Sequence, residues 1–251
     1  MPLAYVNQNM FTDRVSNLLE EVDYRIAETD ADLDAIFRLR YEAYRREEFI
    51  HTNVSGTFTD DYDQSGNARI YGVYLNDRLV SSIRIHVASR ADPDCPSLST
   101  FSDILRPAID AGKVLVDPTR FVTDRHLSRD LKGLPYITLR LCWIAAVHFQ
   151  AEHFLVAIRA EHQAFYRRTF RHRAVCPPRA YAMLNCPISL MTVNCDEVAE
   201  SVYRRYPFFR SNGFERRMLF DGLSGPAVAS GELDTAMIPS GISAIQDVSA
   251  H

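Results

Sequence analysis

The chain has 251 residues, 47% of them hydrophobic and 24% charged, which is the composition of a globular protein long enough to bury one sizeable core. Its formal net charge of -4 at pH 7 gives the molecule as a whole no attraction for nucleic acid or for an anionic membrane surface. The five cysteines include no Cys-x-x-Cys pair, so neither a thiolate zinc site nor a disulfide framework is indicated, and a reducing, cytoplasmic setting is favoured.

The first half of the chain predicts two helices and a hairpin. A short helix is expected from about Phe11 to Glu20, followed by a strand at VDYRIAE and a helix over DADLDAIFRLRYEAYRREE that Asp30 caps. After a polar loop, ARIYGVYLNDRLVSSIRIHVAS contains two β-rich runs on either side of Asn76-Asp77. That dipeptide suits the tight turn of a hairpin.

The second half predicts alternating helices and strands. A helix at FSDILRPAIDAG leads into the strand KVLVDPTRFVTD. Because proline cannot donate to a sheet ladder, Pro118 predicts a bulge or splayed pairing in that strand. The remaining predicted elements are the apolar helix YITLRLCWIAAVHFQAE, the strand FLVAIRA, the helix EHQAFYRRTF, the strand PISLMTV and the helix DEVAESVYRRYPFFRSNGF.

This order of elements predicts an α+β (α/β/α sandwich) domain, with a mixed, mostly antiparallel sheet covered by helices on both faces. We predict an N-terminal helical extension over 1–21, a single domain over 22–222, and a flexible tail over 223–251 that is rich in glycine, serine and alanine. No apolar run approaches the roughly 20 residues of a membrane span. The N-terminus lacks the basic and then apolar order of a secretory signal.

Charged residues recur on elements that are far apart in the chain. Each has a plain explanation on its own, as a solvated helix or sheet residue or as part of a turn. Together, carboxylates and guanidinium groups from separate segments favour an ion-pair network around one cleft. The residues concerned are Arg40 and Tyr44 one helical turn apart, Asp60 and Asp63 in the polar loop, Arg84 in the hairpin, and Asp117 and Arg120 flanking the break at Pro118.

Four motifs in this order resemble the acyl-homoserine-lactone (autoinducer) synthases. They are RYEAYRRE from Arg40, DDYD from Asp60, SSIR ending at Arg84, and DPTRF from Asp117. The chain is still more similar to the related N-acyl amino acid synthases, which also match AEHQAFYRRTF from Ala160. The resemblance then covers most of the chain from Val22 to Phe220. Both groups belong to the GNAT superfamily, so it implies a GNAT-like acyl-CoA N-acyltransferase fold.

Two differences from the autoinducer synthases bear on which molecule accepts the acyl group. Ile50 stands where the autoinducer synthases have a tryptophan, and Asp117 stands where they have a glutamate that no proline follows. These differences argue against S-adenosylmethionine as the acceptor and against homoserine lactone as the product. The resemblance therefore implies transfer of a long-chain fatty acyl group to an amino acid or a similar small amine.

The resemblance also implies roles for individual residues. Asp117 would act as the general base, with its carboxylate held by Arg120 or by another of the charged set. Backbone N–H groups near Phe121 and Val122 would stabilise the oxyanion, so no nucleophilic side chain, metal or permanently bound cofactor is needed. Substrate binding is expected from Arg40, Tyr44, Asp60, Asp63, Arg84 and Arg159.

The donor is predicted from the loop RHLSRDLKGLP. Acetyl-CoA enzymes of the superfamily place two small residues there to hold a pyrophosphate, and this loop has Gly133 alone. That favours the phosphopantetheine thioester of an acyl carrier protein (acyl-ACP) over acyl-CoA. Such carriers are acidic, and the basic residues expected to dock one, unless they are ordinary solvated residues, are Arg125, Arg129, Lys132, Arg168 and Arg171.

Several alternatives stay open on the sequence alone. Leu139 to Phe149 and Phe154 to Ile158 would line an acyl channel or would be plain core. The protein would otherwise be an autoinducer synthase, an acetyl-CoA-dependent acetyltransferase, an enzyme acylating an amino acid on the way to a membrane lipid, or a non-catalytic module that binds acyl carrier protein or a ligand. The oligomeric state is not predicted.

Overall fold

The computed structural model describes residues 3–128, 130–181 and 186–223. Its helices are α1 Leu3–Glu21, α2 Asp30–Arg46, α3 Leu98–Asp110, α4 Arg125–Ser128, α5 Leu134–His148, α6 Gln163–Phe170, α7 Cys195–Arg205 and α8 Gly213–Phe220. Its strands are β1 Val22–Ile26, β2 Ala68–Leu75, β3 Arg78–Ala88, β4 Leu115–Thr123, β5 His153–Ile158, β6 Arg173–Ala174 and β7 Ser189–Val193.

The seven strands form one sheet in the order β1-β2-β3-β4-β5-β7-β6. Neighbouring strands are antiparallel except for β4 and β5, which are parallel. The predicted mixed, mostly antiparallel sheet is thus confirmed. The predicted hairpin joins β2 to β3, and both turn residues, Asn76 and Asp77, have the positive φ (50° and 60°) that such a turn requires.

Helices cover both faces of the sheet. One face of β3, carrying Ile83, Ile85 and Val87, packs into the main core with residues of α5, α6, α7 and α8. The other face of the sheet carries Ala88 of β3 and Leu115 of β4, which pack in a smaller cluster against α3. Helix α2 lies on this second face, where Arg40 reaches Asp63 beside Arg84 of β3. The two clusters make β3 and β4 buried on both sides.

The helix boundaries follow local signals, with two corrections. Thr29 rather than Asp30 caps α2, because its hydroxyl accepts from the N–H of Asp32 while the Asp32 carboxylate accepts from Thr29. The single helix expected from Asp196 to Phe214 is wrong. Helix α7 ends at Arg205 because Pro207 restricts the preceding backbone, and α8 starts afresh with Asn212 as its cap.

The N-terminal helix packs on the domain. It runs from Leu3 to Glu21, longer than predicted, and Val15 is almost completely buried in the main core. The ring centroids of Phe11 and Tyr136 are 4.9 Å apart. The predicted tail lies outside the described residues, apart from Leu223. No helix in the described part of the chain has the length and apolar character needed to cross a bilayer.

Candidate active site

A buried ion-pair network joins α2, the loop after it, β3 and β4. Arg40 Nη1 lies 2.8 Å from Asp63 Oδ1, and Arg84 Nη1 lies 2.5 Å from Asp60 Oδ1 and 2.7 Å from Asp63 Oδ1. Arg120 donates through Nε to Asp60 Oδ2 over 2.9 Å and also through Nη2. The sequence grouped all five residues correctly, and their side chains are at most 5% exposed.

The network holds its charges despite burial. Burial raises the pKa of Asp60, but the guanidinium groups of Arg84 and Arg120 outweigh it and bring the pKa to about 2. Burial lowers the pKa of Arg120, while Tyr44 and Asp60 outweigh that effect and raise it overall. Three guanidinium groups therefore face two carboxylates, which leaves a positive excess beside β4.

Arg120 sits at a bulge in β4. Ser82 pairs with Val122 and Arg84 pairs with Thr119, so Arg120 and Phe121 together oppose Ile83. Arg120 has φ = 57°, a left-handed conformation that costs a residue with a Cβ about 1–2 kcal/mol. Asp60 holds it there, and the Arg120 guanidinium carbon lies 4.3 Å from the centroid of the Phe58 ring.

A chain of hydroxyl groups fixes the backbone on the other side of the bulge. Thr138 Oγ1 donates to Ser81 Oγ over 2.8 Å, and Ser81 Oγ donates to the carbonyl of Val122 over 2.7 Å. All three groups are buried, and Thr138 stands on α5. The bulge is therefore anchored from both faces of the sheet, by ion pairs on one and by hydroxyl groups on the other.

β4 and β5 separate just beyond the start of β4. Their parallel pairing is confined to Leu115 with His153 and Val116 with Phe154. Pro118 follows two residues after Val116 and has no N–H to continue the ladder. The predicted splayed pairing and bulge at this strand are both confirmed. Past Val116 the two strands border an open space.

That space is a cleft of about 530 Å³ that passes through the sheet from one face to the other. On the α2 face its walls include Tyr44, Glu47 and Phe49. On the opposite face they include Leu139 and Tyr166. Between the two lie Pro118 to Thr123 of β4 and residues 156–159 at the end of β5. The bulge at Arg120, Phe121 and Val122 thus borders the middle of the cleft.

The sequence analysis left open whether Leu139 to Phe149 and Phe154 to Ile158 line an acyl channel or form core. The structure shows that part of each segment lines the cleft and part is core. Leu139, Val156, Ala157 and Ile158 line the cleft. Leu141 to Ala146 of α5 belong to the core instead, and Trp143 is completely buried. Cys142 is likewise buried within the core, and burial raises the pKa of its thiol well above the usual value.

Asp117 does not lie where the sequence led us to expect. Its carboxylate accepts from the Ser97 N–H and the Ser97 hydroxyl, each over 2.8 Å, on the α3 side of the sheet. Arg120 pairs with Asp60 instead, so the expected pairing of Asp117 with Arg120 or another arginine is wrong. Asp117 is completely buried and is not among the residues that line the cleft. Burial raises its pKa, although Ser97 opposes the shift.

Arg159 stands at a mouth of the cleft, directly after β5. Its guanidinium carbon lies 4.5 Å from the centroid of the Phe49 ring, and its Nε lies 2.9 Å from Glu161 Oε1. Its Nη2 lies 3.4 Å from His162 Nε2 and 4.0 Å from Glu47 Oε2. Glu47 and His162 both line the cleft. Both residues lie within motifs named in the sequence analysis, but neither was assigned to the site, because only the fold brings α2 and the start of α6 together.

The residues predicted to dock a carrier lie on two elements. Arg125 is exposed at the first residue of α4, and Lys132 is exposed just before α5. Arg168 and Arg171 are exposed near the end of α6, where Arg171 has φ = 64° and ends the helix. Arg129 lies outside the described residues. Docking by these residues stays a prediction.

The sequence matches a known family. A profile of the N-acyl amino acid synthase FeeM matches residues 35–194, which is more than half of the chain and extends from within α2 to the end of β7. The chain belongs to the FeeM family. It is an acyltransferase, as the resemblance implied. No curated protein sequence matches the chain.

Solved structures share the FeeM-family fold. FeeM itself, from uncultured soil microbes, is 17% identical with a TM-score of 0.60 over 76% of this chain and 98% of FeeM. TofI, solved with an inhibitor and MTA, is 11% identical with a TM-score of 0.53 over 76% of this chain and 100% of TofI. The AHL synthase LasI is 12% identical with a TM-score of 0.51 over 68% and 89%. At these identities the likeness shows the fold alone.

Proposed function

We propose that this protein transfers a long-chain fatty acyl group from an acyl carrier protein to the amine of an amino acid, giving an N-acyl amino acid. The observation that carries the proposal is the cleft through the sheet. Its α5 and α6 side offers apolar walls for an acyl chain, and its middle borders the β4 bulge. Its α2 side offers the charged groups of Glu47 and Arg159 to a small zwitterion.

The reaction uses the apolar walls, the β4 bulge and the charged groups on the α2 side together. A neutral amine nitrogen attacks the thioester carbonyl carbon, the C–N bond forms and the C–S bond breaks, and the thiol leaves with the proton that nitrogen gives up. Backbone N–H groups at Phe121 or Val122 stabilise the oxyanion, supported by the positive excess of the network behind the bulge. Arg159 binds the carboxylate of the amino acid, for which its planar guanidinium is suited.

The proton acceptor is proposed to be His162 rather than Asp117. His162 lines the cleft and touches Arg159 through Nε2. When Arg159 turns to the substrate carboxylate, Nε2 becomes available to take the proton of the amine. Asp117 then acts from outside the cleft by fixing the start of the bulged strand through Ser97.

The start of α5 favours a carrier protein as the donor. Acetyl-CoA would need free N–H groups there to hold its pyrophosphate. The N–H of Leu134 donates to the carbonyl of Leu131, Pro135 has none, and the N–H groups of Tyr136 and Ile137 both donate to the Gly133 carbonyl. Helix α1 also covers this end, since a Cβ on Gly133 would lie 3.1 Å from Val15 Cγ2.

Purified protein tests the proposal directly. It should be incubated with a mixture of amino acids and either long-chain acyl-ACP or the matching acyl-CoA, and the products identified by mass spectrometry. We expect N-acyl amino acids, formed faster from acyl-ACP. Amides formed from acyl-CoA at the same rate would contradict the donor, and no amide from either donor would contradict the function.

Filling the cleft should select against long acyl chains. Ile158→Trp places an indole in the cleft from β5, where Ile158 is half-buried. We expect transfer of a long acyl chain to fall about tenfold or more, because the indole fills space that the long chain needs. Transfer of a butyryl group should change much less, because the short chain does not need that space. The ratio of the two transfer rates measures this selectivity. Ile104→Trp, at a half-buried position of α3, is the matched control, and an equal loss for both chain lengths would argue against an acyl role for the cleft.

A further inference from the structure

Three aromatic side chains connect helix α1 to the side of the cleft formed by α5 and α6. Phe165 of α6 lines the cleft, and its ring centroid lies 5.1 Å from that of Tyr136 on α5. The Tyr136 centroid lies 4.9 Å from that of Phe11 on α1. Tyr136 and Phe11 do not line the cleft themselves. These three residues, which we call the aromatic row, therefore run outward from the cleft with Phe165 at the inner end.

Phe165 stands where the acyl side of the cleft meets the surface. Leu139 and Tyr166, which form walls on this side, are both buried. Phe165 is half-buried, so its ring reaches from the cleft towards solvent. An acyl chain that follows the apolar walls away from the β4 bulge has to pass the Phe165 ring to leave the protein on this side.

Tyr136 holds the Phe165 ring in place. The two rings meet edge to face with an interplanar angle of 68°, which is a favoured arrangement for aromatic pairs. Tyr136 is buried and also contacts Tyr206 and Phe208, at centroid distances of 5.4 and 6.1 Å. Because the interior around it is close-packed, Tyr136 cannot move aside without disturbing the core.

Helix α1, at the outer end of the row, is firmly attached to α5. Val15 of α1 is almost completely buried, and a Cβ on Gly133 would lie 3.1 Å from Val15 Cγ2. Directly after α1, the Tyr24 hydroxyl donates to the carbonyl of Ile137 over 2.7 Å. These contacts fix α1 against the first turn of α5, where the aromatic row crosses from one helix to the other.

We infer that Phe165 is the end wall of the acyl site, and that α1 helps to set the longest acyl chain by supporting this wall through Phe11 and Tyr136. The inference rests on the proposed function and adds an upper limit of chain length to it. The segment that matches the family profile starts at residue 35, so α1 lies outside it. The limit therefore depends on an element of this chain that the family match does not include.

The wild-type protein should be assayed with a mixture of amino acids and a series of acyl-ACP donors that lengthen by two carbons at a time. Each methylene that is buried along the apolar walls should raise kcat/KM about fourfold. The increase should stop and then reverse at the chain length whose end reaches Phe165. The amide products are quantified by mass spectrometry.

Two substitutions of Phe165 should move this limit in opposite directions. Phe165→Ala removes the end wall and should move the limit to chains longer by about two carbons or more, whereas Phe165→Trp enlarges the wall and should move it to shorter chains. Phe11→Ala should act like Phe165→Ala but by less, because Tyr136 remains. Phe214→Ala is the control, because Phe214 is an exposed aromatic residue of α8, and it should leave the limit unchanged.

The outcomes separate the inference from the function on which it rests. Urea denaturation identifies a variant that does not fold, and the opposite shift of Phe165→Trp tests the wall if Phe165→Ala is lost in this way. A limit that stays the same in the folded Phe165 variants would overturn the end wall and leave the acyltransferase proposal standing. A limit that moves in those variants but not in Phe11→Ala would overturn the contribution of α1. No amide from the wild type with any donor would overturn the proposed function and the inference together.

Discussion

Replacing Asp60 by asparagine is expected to lower the free energy of unfolding by about 3–5 kcal/mol at pH 7. The Asp60 carboxylate accepts from both Arg84 and Arg120, and all three side chains are at most 5% exposed. Without its charge, two guanidinium groups stay buried beside the remaining Asp63. The left-handed backbone at Arg120 also loses the partner that holds it. Urea denaturation of the two proteins measures the difference.

The effect of Asp60 should depend on pH in a defined direction. Its pKa in the folded protein is about 2, below the ordinary value of 3.8. Its contribution is therefore fully present above pH 4 and is lost as the pH falls through about 2. The stability difference between wild type and Asp60→Asn should shrink between pH 4 and pH 2.

Asp34→Asn provides the control for that experiment. Asp34 pairs with Arg38 over 2.8 Å, and both side chains are at least half exposed. Such a surface pair is worth at most about 1 kcal/mol. A loss for Asp60→Asn no greater than for Asp34→Asn would contradict a stabilising role of the network.

Turnover should fall about 100-fold in His162→Gln, with stability unchanged. His162 is an exposed residue at the mouth of the cleft, so its replacement removes a proton acceptor and no core contact. Steady-state kinetics of the two proteins with acyl-ACP and an amino acid measures the loss, and urea denaturation checks that stability is unchanged.

Two further variants decide between proton acceptors. His51→Gln changes an exposed histidine of the loop after α2 and should leave turnover unaffected. Asp117→Asn should lower stability, since Asp117 is buried and accepts two hydrogen bonds from Ser97. A full loss of turnover in folded Asp117→Asn, with normal turnover in His162→Gln, would return the role of base to Asp117.

The sequence predicted the network better than it predicted the chemistry. Arg40 and Arg84 lie on elements whose periodicity is readable, and Asp63 lies in the polar loop between them, so their convergence could be expected. The expected pairing of Asp117 with an arginine was wrong because its partner, Ser97, lies in a loop that only the fold brings beneath β4. The left-handed backbone at Arg120, which turns its side chain to Asp60, has no sequence signature.

The sequence predicted one side of the cleft, the break in β4, but not the other, because the position of β5 depends on the fold. Pro118 predicted that the hydrogen-bond ladder of β4 would be interrupted. Where β5 separates from β4, however, depends on the pairing of residues about forty positions apart in the chain, such as Val116 with Phe154. Glu47 and His162 both line the cleft and both approach Arg159. Their proximity depends on the fold and not on local spacing in the chain.

The short strand β6 bears on how the folded chain behaves at high concentration. One edge of the sheet is formed by β6, which is two residues long, and both Arg173 and Ala174 are exposed. The opposite edge is β1, where Asp23 and Arg25 carry charge outward. Brief and charged edges give a second molecule little backbone to pair with, so the open sheet resists self-association through its strands.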